Sequence, residues 1–562
     1  MQSHNEHDIV AEKAPSDDFK DLQQQPSVGA LSKQQDGVDG HGEGELHRAL
    51  SSRQITMIAI GGAVGTGLII SSGSALHQAG PGGLLIAYIV LGVVCYGVLT
   101  ALGEMTAYMP LKRGFAGHAS QFVDNSFGFA VGFNYLFKYL VLPPSQLNAT
   151  AVLITFWRPD LSGAIWISIF GAAIISLNVF GGVRVFGIAE YWMSFAKILV
   201  LVGLIILCIC ISAGAGPNNS YRGFSAWGNG QAFNEYLKTG ATGRFIGTWS
   251  AFTIALFAYI GSELIGVTAG EAKNPRKAMP RAIKSLLYRI LFFYVLLIFL
   301  VGLIVSADDP LLIGASKGKS TAAASPFVVA IKSAGIPVLP GFLNACFLIF
   351  TFSAANSDLY IASRTLYGLS RAGQAPRIFT KCDKHGTPYV AILACSLFIA
   401  LAYINVGSGG PKAFTYLTSS VTIFGGLAWV GILVSHLRMM AGMKAQGIDR
   451  KTLPYASPFQ PYFGYFCLFV ISLVIFFKGF TAFIGTFDYK SFITNYIGLP
   501  LFAILFLGWK IVKKTRFVSA TDMDLSTGAR EISDVQEEED EVLDDEEKLS
   551  KKQRIMNLVK VM

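Results

Sequence analysis

Apolar and polar positions alternate along this chain in long blocks rather than at the period of an amphipathic helix or strand. Windows of about 20 apolar residues, the length that crosses a bilayer as a helix, lie near 55–76, 84–108, 127–157, 164–180, 190–212, 245–268, 286–306, 338–363, 389–406, 414–437, 464–483 and 493–512. They predict an all-α polytopic membrane protein with twelve transmembrane helices over residues 51–515. A polar arm, 1–50, precedes them, and a tail, 516–562, follows. The first window carries the least continuous helix signal. Ile58-Ala59-Ile60-Gly61-Gly62-Ala63-Val64-Gly65-Thr66-Gly67-Leu68 holds four glycines, which have low helix propensity and tolerate non-helical dihedrals. Glycines in a membrane also serve close helix packing. Four of them, with Thr66 among them, favour an opened backbone whose amides and carbonyls can hold a small polar molecule.

Composition agrees with the windows: 52% of residues are hydrophobic, 14% are charged, and the mean hydropathy is +0.49. These values exclude an ordinary soluble enzyme. The first fifty residues lack the apolar core of a cleavable signal, so the first span is expected to act as its own insertion signal. A net charge of +9 raises nucleic acid as a partner, but the Lys and Arg residues gather in alternate loops. Lys112, Arg113, Arg184, Lys273, Arg276, Lys277, Arg371, Arg377, Arg438, Lys444 and Arg450 are among them. This is the pattern of the positive-inside rule. It puts both termini in the cytoplasm, makes membrane lipids the expected surface partner and argues against nucleic acid. The seven cysteines are scattered with no zinc or redox spacing, so packing is their expected role and no cofactor is implied.

Ionisable residues inside apolar windows are costly and mark candidate chemistry. Lys138 lies about 11 residues into the third window, roughly 16 Å from its start. It either bridges to a helix-borne carboxylate or awaits an anionic substrate. Pro143 and Pro144 follow and are expected to disturb the helix, turning Gln146 and Asn148 into one cavity. Lys197 in the fifth window is close enough to the helix start to snorkel; buried instead, it could load and unload a proton. The sixth window holds Phe257-Ala258-Tyr259-Ile260-Gly261-Ser262-Glu263, a second glycine-punctuated break beside a carboxylate. Breaks in spans one and six are five apart, the separation of an inverted repeat of five helices. Half-helix N-termini offer amides to a carboxylate and carbonyl ends face an ammonium; an α-amino acid carries both. Glu104, at the edge of the second window, reads as a structural partner of a loop cation. Asn218 is the accessible glycosylation sequon, since Asn148 falls within a span.

Three motifs, in order, resemble the fungal amino acid permeases of the amino acid–polyamine–organocation superfamily: Gly61-Gly62-Ala63-Val64-Gly65-Thr66-Gly67, Gly270-Glu271-Ala272-Lys273-Asn274-Pro275-Arg276, and Ser353-Ala354-Ala355-Asn356-Ser357-Asp358-Leu359-Tyr360. The resemblance covers about 45–515. It implies a LeuT-type fold, a five-plus-five inverted repeat followed by two helices, and uptake of amino acids with protons across the plasma membrane. It further implies that the substrate carboxylate meets Ala63, Val64, Gly65, Thr66 and Gly67 and that its amino group meets Phe257, Ala258 and Tyr259. Lys197 falls where proton-coupled relatives carry a lysine in place of a sodium site, and Glu263 resembles the family's sixth-span carboxylate. Gln146 stands where permeases for cationic amino acids carry a Glu. With Lys138 on the same helix, the pattern is most like the dicarboxylic amino acid permeases, so glutamate and aspartate are the expected substrates; a broad-range or neutral permease is the alternative. An amino acid sensor on the same fold is the alternative of another class. The eight histidines form no catalytic constellation, and an enzyme is not expected. The acidic run from Asp534 reads as a solvated tail, with docking of a cytoplasmic regulatory adaptor as its other reading.

Overall fold

The computed structural model describes Met57 and residues 65–526, apart from 112, 218–220, 222, 229, 265–274, 317–324, 385 and 405–409. Every regular element among them is helical. The first, α1 (Gly67–Tyr108), runs for 42 residues, about 63 Å at 1.5 Å per residue and twice the hydrocarbon thickness. Gly80, whose φ of 73° is followed by Pro81, divides it into the described part of the first crossing, residues 67–79, and the second crossing, residues 81–108. A Cβ at Gly80 would sit 2.7 Å from the Ala232 carbonyl oxygen, so the turn needs glycine for space as well as for φ.

There follow α2 (Gly114–Phe122), α3 (Asn125–Ile154), α4 (Gly163–Phe180), α5 (Gly182–Ser212) and α6 (Gly240–Tyr259). Next comes α7 (Pro275–Arg289), extended by a π-wound stretch, Ile290–Leu296, and by Leu297–Ile304. The short α8 (Pro310–Ser316) and α9 (Pro326–Ser333) lead to α10 (Leu339–Arg371), α11 (Tyr389–Ser396, continued through Leu397–Tyr403), α12 (Gly410–Ala445) and α13 (Tyr462–Phe476). The last crossing is a pair, α14 (Tyr489–Tyr496) and α15 (Gly498–Lys513), bent by 44°. Seven described helices are long and apolar enough to cross a membrane on length and composition alone, and the bent pair makes an eighth. Counting α1 twice and adding α3, α6 and α11 gives twelve crossings. Each crossing overlaps its apolar window, but α5, α7, α10 and α12 overrun theirs by eight or more residues and α6 stops nine short, at Tyr259.

Polarity runs opposite to that of a soluble protein. Ile165, Ile169 and Phe180 on α4, Trp192, Leu199 and Ile206 on α5, Phe469 and Phe476 on α13, and Ile504 and Ile511 on α15 are exposed. Lys138, Glu190, Lys197 and Glu263 are fully buried. Apolar side chains outside and paired charges inside suit hydrocarbon surroundings. Within the bundle α6 lies along α1, and α3 lies against α10 and α12. Contrary to expectation, α3 runs unbroken through Pro143 and Pro144, which a membrane helix tolerates when neighbouring helices satisfy the freed carbonyls.

At one end of the bundle Glu104 accepts from Arg450 Nε and Nη2, both at 2.6 Å, and from the Ser457 amide at 2.7 Å. This is the structural pairing with a loop cation that the sequence suggested. Packed structure also continues past residue 515. The Val518 amide donates to the Val123 carbonyl at 2.9 Å, Tyr108 Oη to the Leu525 carbonyl at 2.7 Å and Gln446 Nε2 to the Met523 carbonyl at 2.7 Å. Met523 and Leu525 are buried, and Gly442 leaves the space Met523 Sδ fills. The start of the tail is thus a strap on the core. The arm and the acidic run lie outside the described residues.

Between the second and third crossings, α2 is anchored by His118. Its Nε2 lies 2.6 Å from the Met109 carbonyl oxygen and its ring stacks on Phe122. Burial pushes the imidazole pKa down to about 4, against an ordinary 6.5. Because the folded value is depressed, the neutral ring contributes stability that is present above pH 6.5 and lost as pH falls toward 4. Acidification from pH 7 to pH 5 is expected to lower unfolding free energy by about 2 kcal/mol through this group. Thermal unfolding of purified protein against its His118→Gln variant checks this: the wild type loses more Tm on acidification than the variant does.

Candidate functional site

The helix of α6 stops at Tyr259, Ile260 is extended, and Gly261 takes a φ of 101°. Two amides that would have continued the helix turn elsewhere. The Gly261 amide donates to Glu263 Oε2 at 3.0 Å, and the Ser262 amide to the Tyr259 carbonyl at 3.3 Å. The Ile260 amide still closes on the Leu256 carbonyl, so the carbonyls of Phe257 and Ala258 are without the helix bonds they would otherwise accept. They form the negative end of a half-helix inside the bundle.

Facing them is the start of α1. Gly65 is non-helical, and the chain enters the helix at Gly67 through a π-wound turn, Gly67–Ser71. The approach is close: a Cβ on Gly67 would lie 2.6 Å from Ala258 Cα and 3.0 Å from its nitrogen. Only glycine lets the two openings meet. The first amides of α1 lack intrahelical partners and present the positive end of a helix to the same space. Gly61, Gly62, Ala63 and Val64, and the 270–274 part of the second motif, lie outside the described residues.

A cavity of about 40 Å³ occupies this junction. Gly65, Thr66 and Gly67 line it from α1, Tyr139, Leu142 and Gln146 from α3, Phe257, Ala258 and Gly261 from α6 and its break, and Ser357 and Asp358 from α10. Thr66 Oγ1 donates to Gln146 Oε1 at 3.0 Å, fixing the amide between the break and α3. Of the residues expected at the site, Gly65, Thr66, Gly67, Gln146, Phe257 and Ala258 come together here. Tyr259 does not: its hydroxyl donates to the Tyr88 carbonyl at 2.8 Å and its ring stacks on Tyr294, turned toward α1 and α7. Asn148 also points away, bonding to the Ala402 carbonyl on α11 at 3.2 Å. Two residues beyond Gln146 along α3 is about 200° around the helix, so the pair cannot share a face.

Lys138 is bridged. Its ammonium donates to Glu263 Oε1, with both side chains fully buried, and lies 4.3 Å from the centre of the Tyr139 ring. Glu263 Oε2 accepts in addition from Trp429 Nε1 on α12 at 3.1 Å. One carboxylate therefore ties the open end of α6 to α3 and α12. On the far side of the turn, a buried Arg289 from α7 donates to Ser262 Oγ. Lys197 does not snorkel; it is fully buried, 3.9 Å from Glu190 Oε1, which accepts from Ser353 Oγ on α10 at 2.6 Å.

The sequence reading assigned no role to Glu190, Asp358 or Arg289. Asp358 is a lone carboxylate inside an apolar window, the same signal that picked out Glu263, whereas Glu190 stands at the very edge of its window. Arg289 had no such mark because its window blends into a basic loop.

Broken helices meeting at a buried cavity among membrane-crossing helices define a secondary transporter architecture. The amino acid permease profile matches residues 54–520, and the chain belongs to that family. Its relatives include the dicarboxylic amino acid permease of Saccharomyces cerevisiae, 47% identical over 515 residues, 90% of this chain and 84% of that protein. The proline-specific permease of Emericella nidulans is 40% identical over 500 residues, covering 87% and 90%. Among solved structures, the manganese transporter of Eremococcus coleocola matches with a TM-score of 0.53 at 13% identity, over 82% of this chain and 94% of that one, a likeness of fold alone. The fold is LeuT-type, a five-plus-five inverted repeat followed by two further crossings. The family consists of transporters, not enzymes.

Breaking the Lys138–Glu263 pair should be severe. Lys138→Met leaves a buried carboxylate uncompensated, and a loss of about 3–5 kcal/mol is expected. Adding Glu263→Gln removes the charge while keeping acceptors for Gly261 and Trp429, and should recover at least half of it. Thermal unfolding in detergent reads both; a single variant as stable as the wild type would show that the pair carries no such weight.

Proposed function

We propose that this chain is a proton-coupled permease that imports amino acids across the plasma membrane, with glutamate and aspartate as its preferred substrates. The observation that carries it is the meeting of the two half-helix ends. The amides of Gly65, Thr66 and Gly67 suit an α-carboxylate, and the freed carbonyls of Phe257 and Ala258 suit an α-ammonium. Ala63 and Val64 extend the same amide run in sequence. The acidic preference draws support from the relative named a dicarboxylic amino acid permease and from Gln146, a neutral amide on the cavity wall.

Proton coupling is assigned to Lys197, buried between α5 and α10 beside Glu190, with the Glu263 network linking the break to α3 and α12. Movement of a proton on or off Lys197 changes the charge balance between those two helices, which is the kind of bias that alternating access requires. Both termini are placed in the cytoplasm by the loop charges, the exposed apolar belt faces membrane lipids, and the tails are available to regulatory adaptors. A permease for neutral amino acids is the second reading, favoured by the proline-specific relative and by a cavity wall on which neither Lys138 nor Lys197 stands.

Uptake of labelled glutamate, aspartate, arginine and leucine into cells lacking their own permeases, at pH 5 and pH 7, separates these readings. Saturable glutamate and aspartate uptake, larger at pH 5 and abolished by a protonophore, is the expected result. Preference for leucine would support the neutral reading, and indifference to the protonophore would remove the coupling. Lys197→Ala is expected to lose accumulation against a gradient at either pH; accumulation retained with its pH dependence would withdraw the role given to Lys197.

A further inference from the structure

Asp358 is the only carboxylate among the described residues that line the cavity. It lies on α10 between Ala354 and Ile361, which face the same space, and its side chain is 8% exposed. Its Oδ2 is buried with no hydrogen-bond partner, as is the hydroxyl of neighbouring Ser357. A buried acceptor left unsatisfied is costly and is normally completed by a ligand, a proton or water.

The groups acting on it come from three neighbouring elements. Lys138 acts from α3, where Gln146 and the phenols of Tyr135 and Tyr139 also face it, and Lys197 and Glu190 act from α5. Glu263, on the break after α6, is paired with Lys138. The two cations are thus each matched by a carboxylate, Glu263 and Glu190. Asp358 is a third carboxylate, and no cation among the described residues stands within ion-pair distance of it. A neutral or cationic amino acid adds no negative charge beside it. An acidic amino acid does, because its side-chain carboxylate enters the same small cavity, and two carboxylates in one low-dielectric site share a proton rather than both ionise.

We propose that Asp358 is the proton-binding side chain of the cavity, taking up one proton as an acidic amino acid binds and losing it as that substrate leaves. The assignment rests on the acidic-substrate reading above. The proton comes from water on the side where substrate enters, forms an O–H bond at the Asp358 carboxyl, and donates to the substrate's side-chain carboxylate. On release it returns to water on the other side, and no other bond is made or broken. Glutamate then enters together with a proton, so the substrate's own charge enforces co-transport.

The test uses purified full-length protein in weakly buffered detergent solution between pH 7 and 9, where the side chain of free glutamate is ionised. Labelled glutamate or glutamine reports binding, and a pH indicator reports proton uptake in the same titration. The wild type is expected to take up more protons per glutamate bound as pH rises, approaching one at the alkaline end, and none per glutamine, with glutamate affinity falling toward about tenfold per pH unit there. In Asp358→Asn the proton uptake and the slope should both vanish, and Asp358→Glu should restore them. Unchanged uptake or slope in Asp358→Asn would overturn the assignment while leaving the acidic-substrate reading intact. Should that variant fail to fold, glutamate binding to the wild type without proton uptake would overturn it equally. No glutamate binding by the wild type would remove the acidic-substrate reading and the assignment with it.

Discussion

An opened backbone inside hydrocarbon must have every freed polar group answered, and at the junction of α1 and α6 that requirement governs the neighbourhood. Glu263 answers the Gly261 amide, and Ser262 doubles back to the Tyr259 carbonyl. A buried carboxylate then needs a cation, which fixes Lys138 on α3, and a second donor, which fixes Trp429 on α12. Three crossings are thereby held around one break. The carbonyls of Phe257 and Ala258 are the groups this network does not use, and they face the amide end of α1 at the only spacing glycine allows.

Two buried ion pairs flank the site. Lys138 with Glu263 stands beside the cavity, and Lys197 with Glu190 stands between α5 and α10, with Asp358 between the two. Buried pairs add little net stability, yet losing one partner is expensive. That asymmetry makes such a cluster responsive to a single proton or a single charged ligand. Asp358 alone among these carboxylates touches the space a substrate would fill.

Much of this was legible in the residues. Apolar windows marked the twelve crossings because the length of a membrane helix is set by the bilayer, and the break after Tyr259 was visible because Gly261 and Glu263 are both out of place in a continuous apolar helix. Direction around a helix was less legible. Tyr259 and Asn148 were expected in the cavity because they adjoin residues that are there, but a step of one or two residues along a helix turns a side chain by about 100–200°. The partner of Lys138 could not be read either, since Glu263 is 125 positions away in sequence. The two prolines of α3 misled for a different reason: in a packed bundle the neighbours, not the local chain, decide whether a helix bends. Asp358 sat in plain view within a recognised motif, and only its orphaned oxygen on the cavity wall gave it a chemical role.

The most direct measurement is an experimental structure of the protein with its amino acid bound. The account predicts the α-ammonium at about 3 Å from the carbonyl oxygens of Phe257 and Ala258 and the α-carboxylate at the amides of Gly65 to Gly67. An amino acid seated elsewhere in the bundle, with those carbonyls and amides closed on each other or on side chains, would contradict it.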